Sequence, residues 1–310
     1  MPLSEFSLIK RFFTQQRVTN PTTLLGIGDD CALLSIPEGF ELAVTTDTMV
    51  ENVHFFSGAD PELLGHKLLA VNLSDLAAMG ARPVSVTLAL TLPKVDENWL
   101  MAFAQGFLNL AERYSVDLIG GDTTSGPLTL TVQAMGLVSK GHALLRSAAR
   151  PGDFIYMTGC LGDAGLGLKI LQGYDCDFEA ALTRFNRPEP QVESGQALIG
   201  VAHACIDLSD GLAADLGHLL EQSGVGACLD WEALPLSKAV RSYIDVTGDW
   251  PMPLSAGDDY ELCFTVSPEQ AAQLSIAATK IGVIESEPGL RLNKSGTIQP
   301  LEAKGYEHFS

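Results

Sequence analysis

Basic residues are scarce in this chain. Nineteen Lys and Arg stand against 38 Asp and Glu in 310 residues, a net charge of −19. No basic face can be traced, which argues against nucleic acid as the main partner, because phosphate-backbone binding runs on clustered positive charge. The six cysteines, Cys31, Cys160, Cys176, Cys205, Cys228 and Cys263, form no Cys-x-x-Cys pair. They read as buried thiols in a reducing compartment and not as a disulfide frame or a zinc site. No apolar run is long enough to span a bilayer, and Met1–Phe13 carries Glu5 and no apolar core of a secretory signal. The expectation is a soluble, cytoplasmic protein with no membrane partner. No Gly-x-x-x-x-Gly-Lys-Ser/Thr occurs, which excludes the P-loop class, and no EF-hand spacing of aspartates is present. No nucleophile–base dyad stands out.

What the chain does have is acid next to glycine. Gly26-Ile27-Gly28-Asp29-Asp30, Gly120-Gly121-Asp122, Asp207-Leu208-Ser209-Asp210-Gly211 and Ala256-Gly257-Asp258-Asp259-Tyr260-Glu261 each follow an apolar, strand-like run. Each therefore reads as a turn leaving a strand. Glycine lets backbone approach a bound group, and aspartate holds a hard cation through oxygen. One such stretch is an ordinary turn; four in one chain point to carboxylates holding Mg²⁺ against a phosphate-bearing ligand. Bound divalent cations would also reverse the local field of an acidic protein that must accept an anion.

At 46% hydrophobic and 18% charged residues, the chain is globular and long enough for two domains. Ser4–Phe13 reads as a short helix with Ser4 as N-cap. Leu24–Ile27 is a strand entering the first acidic turn, and Glu41–Thr46 is another, ending at Thr45-Thr46-Asp47. Glu51 and His54 follow, and His54 draws notice because it lies close after Asp47. Pro61–Gly80 carries Leu64, Leu68, Val71 and Leu76 at helical spacing, with Asn72 and Asp75 on one shared face. That face fits equally a buried polar pair with partners or a polar side turned to solvent. Strands at Pro83–Leu92, Val116–Ile119 and Leu128–Val138 and a helix at Glu97–Tyr114 complete a mixed α/β or α+β first half. The strands Val84–Leu92 and Leu128–Val138 are more apolar than one small domain can cover, which predicts dimerisation.

Residues 139–152 form the one locally basic stretch and the candidate linker, dividing a domain at 1–138 from one at 153–310. Arg146 there faces solvent or clamps a phosphate bidentately. The second half alternates expected strands (Phe154–Thr158, Ala204–Leu208, Gly226–Leu229, Leu262–Val266, Ile281–Ile284) with expected helices (Asp163–Gln172, Ala180–Arg184, Pro190–Gly200, Leu212–Ser223, Pro268–Lys280). A short internal echo links Asn72-Leu73-Ser74-Asp75-Leu76-Ala77-Ala78 to Asp207-Leu208-Ser209-Asp210-Gly211-Leu212-Ala213.

Taken together, the four acidic stretches, Thr45-Thr46-Asp47, Asn72-Leu73-Ser74-Asp75-Leu76-Ala77-Ala78-Met79-Gly80-Ala81 and the closing Gly305-Tyr306-Glu307-His308-Phe309 resemble bacterial thiamine-monophosphate kinase over essentially the whole chain. That family belongs to the superfamily of aminoimidazole ribonucleotide synthetase, selenophosphate synthetase and the hydrogenase maturation dehydratase. One departure is Ala256-Gly257-Asp258-Asp259, where the family pattern is Gly-Gly-Glu-Asp. The resemblance implies a two-domain aminoimidazole ribonucleotide synthetase-like fold. Its N-terminal domain would bind ATP and Mg²⁺ and form a β-barrel across a homodimer, and its C-terminal domain would be α/β. It implies an enzyme moving phosphate from ATP to thiamine monophosphate, with ATP in the cleft between domains. By motif, Mg²⁺ would be held by Asp30, Thr45, Thr46, Asp47, Asp75, Asp122, Asp207 and Asp210. ATP would meet Gly121, Asp122, Arg146 and Ser209, and the acceptor would meet His54, Glu261 and Tyr306. No residue is expected to act as a covalent catalyst.

Overall fold

A computed structural model describes residues 5–14, 16, 18–176, 178–306 and 308. Ser4, Glu307 and Phe309, named above, lie outside the described residues. The chain divides into two compact units, one built from the chain up to Leu76 with Ala81–Gly141, the other from Ala77–Gly80 with the chain from His142 onward.

The first unit runs α1 (Glu5–Phe12), β1 (Thr23–Leu25), β2 (Leu33–Leu34), β3 (Phe40–Val50), α2 (Pro61–Ala78), β4 (Arg82–Leu92), α3 (Glu97–Arg113), β5 (Asp117–Ser125) and β6 (Thr129–Ser139). Its main sheet has the order β3-β6-β4-β5, with β4 and β5 parallel and the other pairs antiparallel. The sheet is open, so β3 and β5 are its edges among the described residues. Asp96 caps α3 by accepting the N–H groups of Asn98 and Trp99. Phe103 and Phe107 of that helix are fully buried and stack. In α2, Leu64, Leu68, Leu69, Leu73 and Leu76 are all buried, and so is Asn72. A polar side turned to solvent is therefore not what this helix has; Asn72 instead finds partners, described below.

Two expectations about acidic stretches change here. Thr45-Thr46-Asp47 does not end a strand. It lies within the eleven residues of β3, because the run of Thr and Val continues in extended register against β6 through Val50. Likewise Gly120-Gly121-Asp122 is not a turn: β5 continues through it to Ser125, paired with β4. A slip in register between Val86 and Thr87 leaves Ile119 as a bulge just before the glycines, which then pair with Thr87 and Leu88.

The second unit runs β7 (Phe154–Met157), α4 (Asp163–Leu171), α5 (Glu179–Asn186), α6 (Val192–Ala197), β8 (Ala204–Asp207), α7 (Leu212–Ser223), β9 (Gly226–Asp230), α8 (Lys238–Thr247), α9 (Met252–Ser255), β10 (Leu262–Val266), β11 (Thr279–Glu285), β12 (Gly289–Lys294) and β13 (Thr297–Pro300). Seven strands order as β13-β12-β9-β11-β7-β10-β8, antiparallel except for β12 beside β9. Ile155, Met157, Ile206, Leu216, Leu229 and Cys263 fill its core. The segment after Gly141 packs with this unit: Leu145 bridges Ala204, and its carbonyl accepts from Cys205 N–H.

The helix expected over Pro268–Lys280 is absent. A single 3₁₀ turn, Gln270–Gln273, occurs instead, and Lys280 already belongs to β11. No residue from 271 to 278 is buried, so no apolar stripe repays helix nucleation there. The short helices α8 and α9 and the strands β12 and β13 were not read from the sequence. The internal echo does not survive either, since Asn72–Ala78 is helix throughout while Asp207–Gly211 is a strand end and loop. No described helix is long and apolar enough to cross a membrane.

Candidate functional site

In the first unit, β3 and α2 bring three of the singled-out side chains together. Strand alternation turns Thr45 and Asp47 to one face and Thr46, which is exposed, to the other. Thr45 Oγ1 donates to Asp75 Oδ2, and Asn72 Oδ1 accepts the Asp47 N–H at 3.1 Å. Asn72 Nδ2 in turn donates to the Leu68 carbonyl at 3.0 Å, so the buried amide is satisfied on both sides. Burial, and secondarily the charge of Asp75, pushes the Asp47 carboxyl up to about 7.

The other first-unit candidates stand apart from this pair. Asp30 is exposed, its N–H bonded to Asp29 Oδ1 at 2.9 Å. His54 Nδ1 accepts the Val50 N–H at 3.0 Å, closing the turn after β3. Asp122 is exposed on β5, opposite Ala89. From Asp47 it lies three strands across the sheet, a span of ~14 Å at ordinary strand spacing. Gly121 beside it packs tightly, since a Cβ there would sit 1.9 Å from the Leu88 carbonyl oxygen. Among the described residues no three of His, Cys, Asp and Glu gather closely enough to hold a metal ion.

In the second unit the loop from Asp207 to Gly211 is pinned from several directions. The Ser209 carbonyl accepts the Asp258 N–H at 2.9 Å, and the Leu208 carbonyl accepts the Tyr260 N–H at 2.8 Å. The Asp210 carbonyl accepts the Tyr306 N–H at 3.1 Å. Asp215, from the first turn of α7, accepts the N–H groups of Asp210 and Gly211 at 3.0 and 3.1 Å. Burial raises the Asp210 carboxyl, the neighbouring Asp258 pushes the same way, and Arg146 pulls against them. Ser209, Asp210, Arg146 and Tyr306 are thus neighbours, while Asp207 is buried at the end of β8. Tyr306 is 47% exposed, its ring edge-on to His308.

Glu261 points elsewhere. Its carboxylate is buried, accepting from Arg184 Nη2 at 2.6 Å and Thr158 Oγ1 at 2.5 Å. Sequence reasoning missed Arg184 and Asp215. Asp215 carried a signal, being a carboxylate in the first turn of a helix whose start is a glycine. Arg184 carried none, because its partners are 75 and 77 residues away.

The family model for AIR synthase related protein, N-terminal domain, matches residues 28–138, and that for AIR synthase related protein, C-terminal domain, matches residues 150–294. Thiamine-monophosphate kinase of Haemophilus influenzae is 49% identical over 100% of this chain and 99% of its own. The chain belongs to the thiamine-monophosphate kinase family. The solved thiamine-monophosphate kinase of Stenotrophomonas maltophilia K279a superposes with a TM-score of 0.85 at 43% identity, over 96% of this chain and 99% of its own. AaThiL complexed with AMPPCP and TMP gives 0.79 at 30% identity, over 100% and 99%.

This family member carries a pH signature in its carboxyls. Burial raises Asp47 and Asp215 to about 7 and Asp259 to about 8, from a usual 3.8. Each group binds its proton more tightly folded than unfolded, so its contribution to stability is present at low pH and is lost as pH rises through 7 to 8. The metal-free protein is therefore expected to melt higher at pH 6 than at pH 8, with added Mg²⁺ narrowing the gap. Scanning calorimetry at both pH values checks this; a metal-free melting temperature that stays flat or rises between them contradicts it.

Proposed function

We infer that this enzyme transfers the γ-phosphoryl group of ATP to the phosphate of thiamine monophosphate, giving thiamine diphosphate. The observation that carries the reading is identity of 49% to a thiamine-monophosphate kinase over 100% of this chain and 99% of that one. A relative complexed with AMPPCP, an ATP analogue, and TMP supports the substrate pair.

Both substrates are anions, and the protein is acidic, so a cation is needed at the reacting groups. The donor set fits Mg²⁺: it is all oxygen, and the repulsion between Asp75 and Asp47, which helps raise the Asp47 carboxyl to about 7, is what a bound cation would relieve. By the family resemblance, Asp30, Thr45, Asp47, Asp75 and Asp122 of the first unit would each serve as a ligand to one of several Mg²⁺ ions, and so would Asp207 and Asp210 of the second. Thr46, also implied by motif, has its side chain on the opposite face of β3 from Thr45 and Asp47. When bound, Mg²⁺ neutralises the charge that develops on the transferring phosphoryl group. The chain's own residues bind and orient. Gly121 presents backbone beside Asp122, and Arg146 and Ser209 take the nucleotide's phosphates. By the family resemblance, Tyr306 would stack on the acceptor's pyrimidine ring, and His54 and Glu261 would each be an acceptor contact.

No general base is required, because a phosphate monoester has its second ionisation near 6 and is already nucleophilic at neutral pH. Transfer is direct and in line, without a phospho-enzyme. The test is turnover of thiamine monophosphate with Mg-ATP carrying a chiral γ-thiophosphate. Inverted configuration, a rate that rises with pH through about 6 and then levels, and loss of activity in EDTA are expected. Retained configuration, or ADP–ATP exchange without acceptor, would overturn the direct route; no turnover would overturn the reading itself.

The assembly belongs to the same proposal. β3 is an eleven-residue edge strand with Phe40, Leu42 and Val44 exposed along one face. An edge of this length and character invites pairing. Two copies joined through it would bury that face and close the open sheets into a barrel. Light scattering is expected to give twice the 33.0 kDa chain mass; a monomer at micromolar concentration would refute it.

A further inference from the structure

The turn from Asp258 to Glu261 is strained. Asp258 has φ 70° and Tyr260 has φ 49°, both in the left-handed region and neither a glycine. Such residues cost energy and persist only where surrounding contacts over-determine them, typically at functional sites. Here the contacts are specific. The Asp258 and Tyr260 N–H groups bond to the Ser209 and Leu208 carbonyls, and Tyr260 Oη donates to Asp258 Oδ1 at 2.9 Å. Asp259 is buried and accepts the Gly162 and Ala164 N–H groups at the start of α4. Gly159 adopts φ +56°, and a Cβ on it would come within 2.1 Å of Glu261 Oε1. The Gly159–Gly162 loop and the strained turn therefore fix each other.

One side chain spans both ends of that turn. Arg184 Nη2 donates to the Asp259 carbonyl at 3.0 Å and to Glu261 Oε1 at 2.6 Å. Its side chain is 24% exposed, against 3% for Glu261. We propose that Arg184 is a positioning residue for the acceptor: by clamping the Asp258–Glu261 turn it fixes the Glu261 carboxylate and the Gly159–Gly162 loop in the arrangement that receives thiamine monophosphate. This rests on the phosphotransfer reading above. Asp163, Asp259 and the Cys160 thiol are other titratable groups around Glu261, and Arg184 is the cation paired with it among the described residues. Without it, the buried carboxylate keeps only the Thr158 hydroxyl against neighbouring negative charge, and the clamp on the turn is lost. The nucleotide side shares the turn's bonds to the Ser209 and Leu208 carbonyls but has a second hold of its own, since Asp215 secures the Asp210–Gly211 backbone without Arg184.

The test is steady-state kinetics of full-length Arg184→Met, Arg184→Lys and Glu261→Gln, with the double variant Arg184→Met/Glu261→Gln. Wild-type turnover of thiamine monophosphate tests the underlying reading; the ratio of variant to wild type tests the clamp. Arg184→Met is expected to raise KM for thiamine monophosphate about 10- to 100-fold while KM for ATP stays within about threefold. Arg184→Lys should recover part of the loss, and the double variant should be no worse than its weaker parent. If Arg184→Met does not fold, the Lys variant decides alone, by whether the acceptor KM rises without the ATP KM. Unchanged acceptor KM in a folded variant, equal losses for both substrates, or additive single effects would overturn the proposal.

Discussion

Asp75→Asn is expected to lower turnover by about 10²- to 10³-fold, the loss seen when one preorganised electrostatic contact to developing charge is removed. Stability moves the other way. The Asp75 carboxylate accepts from Thr45 Oγ1, a bond that an amide oxygen can still make. Its charge helps push Asp47 up to about 7, and removing it relieves that repulsion. Without Mg²⁺ the variant should melt no lower than the wild type, and it should lose most of the Mg²⁺-dependent rise. Initial rates at saturating Mg²⁺ and paired thermal melts give both numbers. Activity within threefold of wild type would remove Asp75 from the metal-holding set.

Gly121→Val is expected to cost about 3 kcal/mol or more of stability, combining overpacking with a backbone conformation that a branched side chain resists. Gly121 has φ +152°, and an added Cβ would meet the Leu88 carbonyl oxygen at 1.9 Å and its carbon at 2.7 Å. Both obstacles are backbone, so the only relief is to part β4 from β5. Asp122 would move with the strand, and activity should fall together with stability. Gly120→Ala is the control, because its Cβ would meet only Thr87 Cγ2, at 3.8 Å. Urea unfolding compares the two; equal stabilities would show that the close approach at Gly121 carries no weight.

The sequence was informative wherever chemistry is local. Acid beside glycine singled out Asp30, Asp122 and Asp210 as candidates, and helical spacing put Asn72 and Asp75 on one face of what became α2. Local pattern could not say where strands stop. Thr45-Thr46-Asp47 reads as a strand end because polar residues interrupt an apolar run. In the fold the interruption is only one face of β3, satisfied by Asn72 and Asp75 from a helix some 25 to 30 residues on. The same limit hid Arg184, whose role exists only once β10 and α5 are neighbours. Pro268–Lys280 failed for the opposite reason: its helical propensity was real but nothing packs on it. Glu261 was found by resemblance, yet its carboxylate is spent on Thr158 and Arg184, a commitment no linear motif displays.

Asp47 sits mid-strand and Asp75 in the last turns of a long buried helix, and this placement has a thermodynamic consequence. Ligands carried on loops must be ordered when their ion arrives, and that ordering subtracts from affinity. Here the backbone at both positions is already fixed, Asp47 by the β6 ladder and the Asn72 amide, Asp75 by burial of α2. On the proposed reading, ion uptake at this pair would be mainly an exchange of a proton for a cation, with little chain to freeze. Calorimetry in buffers of different ionisation enthalpy would see it as proton release on binding, with a heat-capacity change too small for a folding transition.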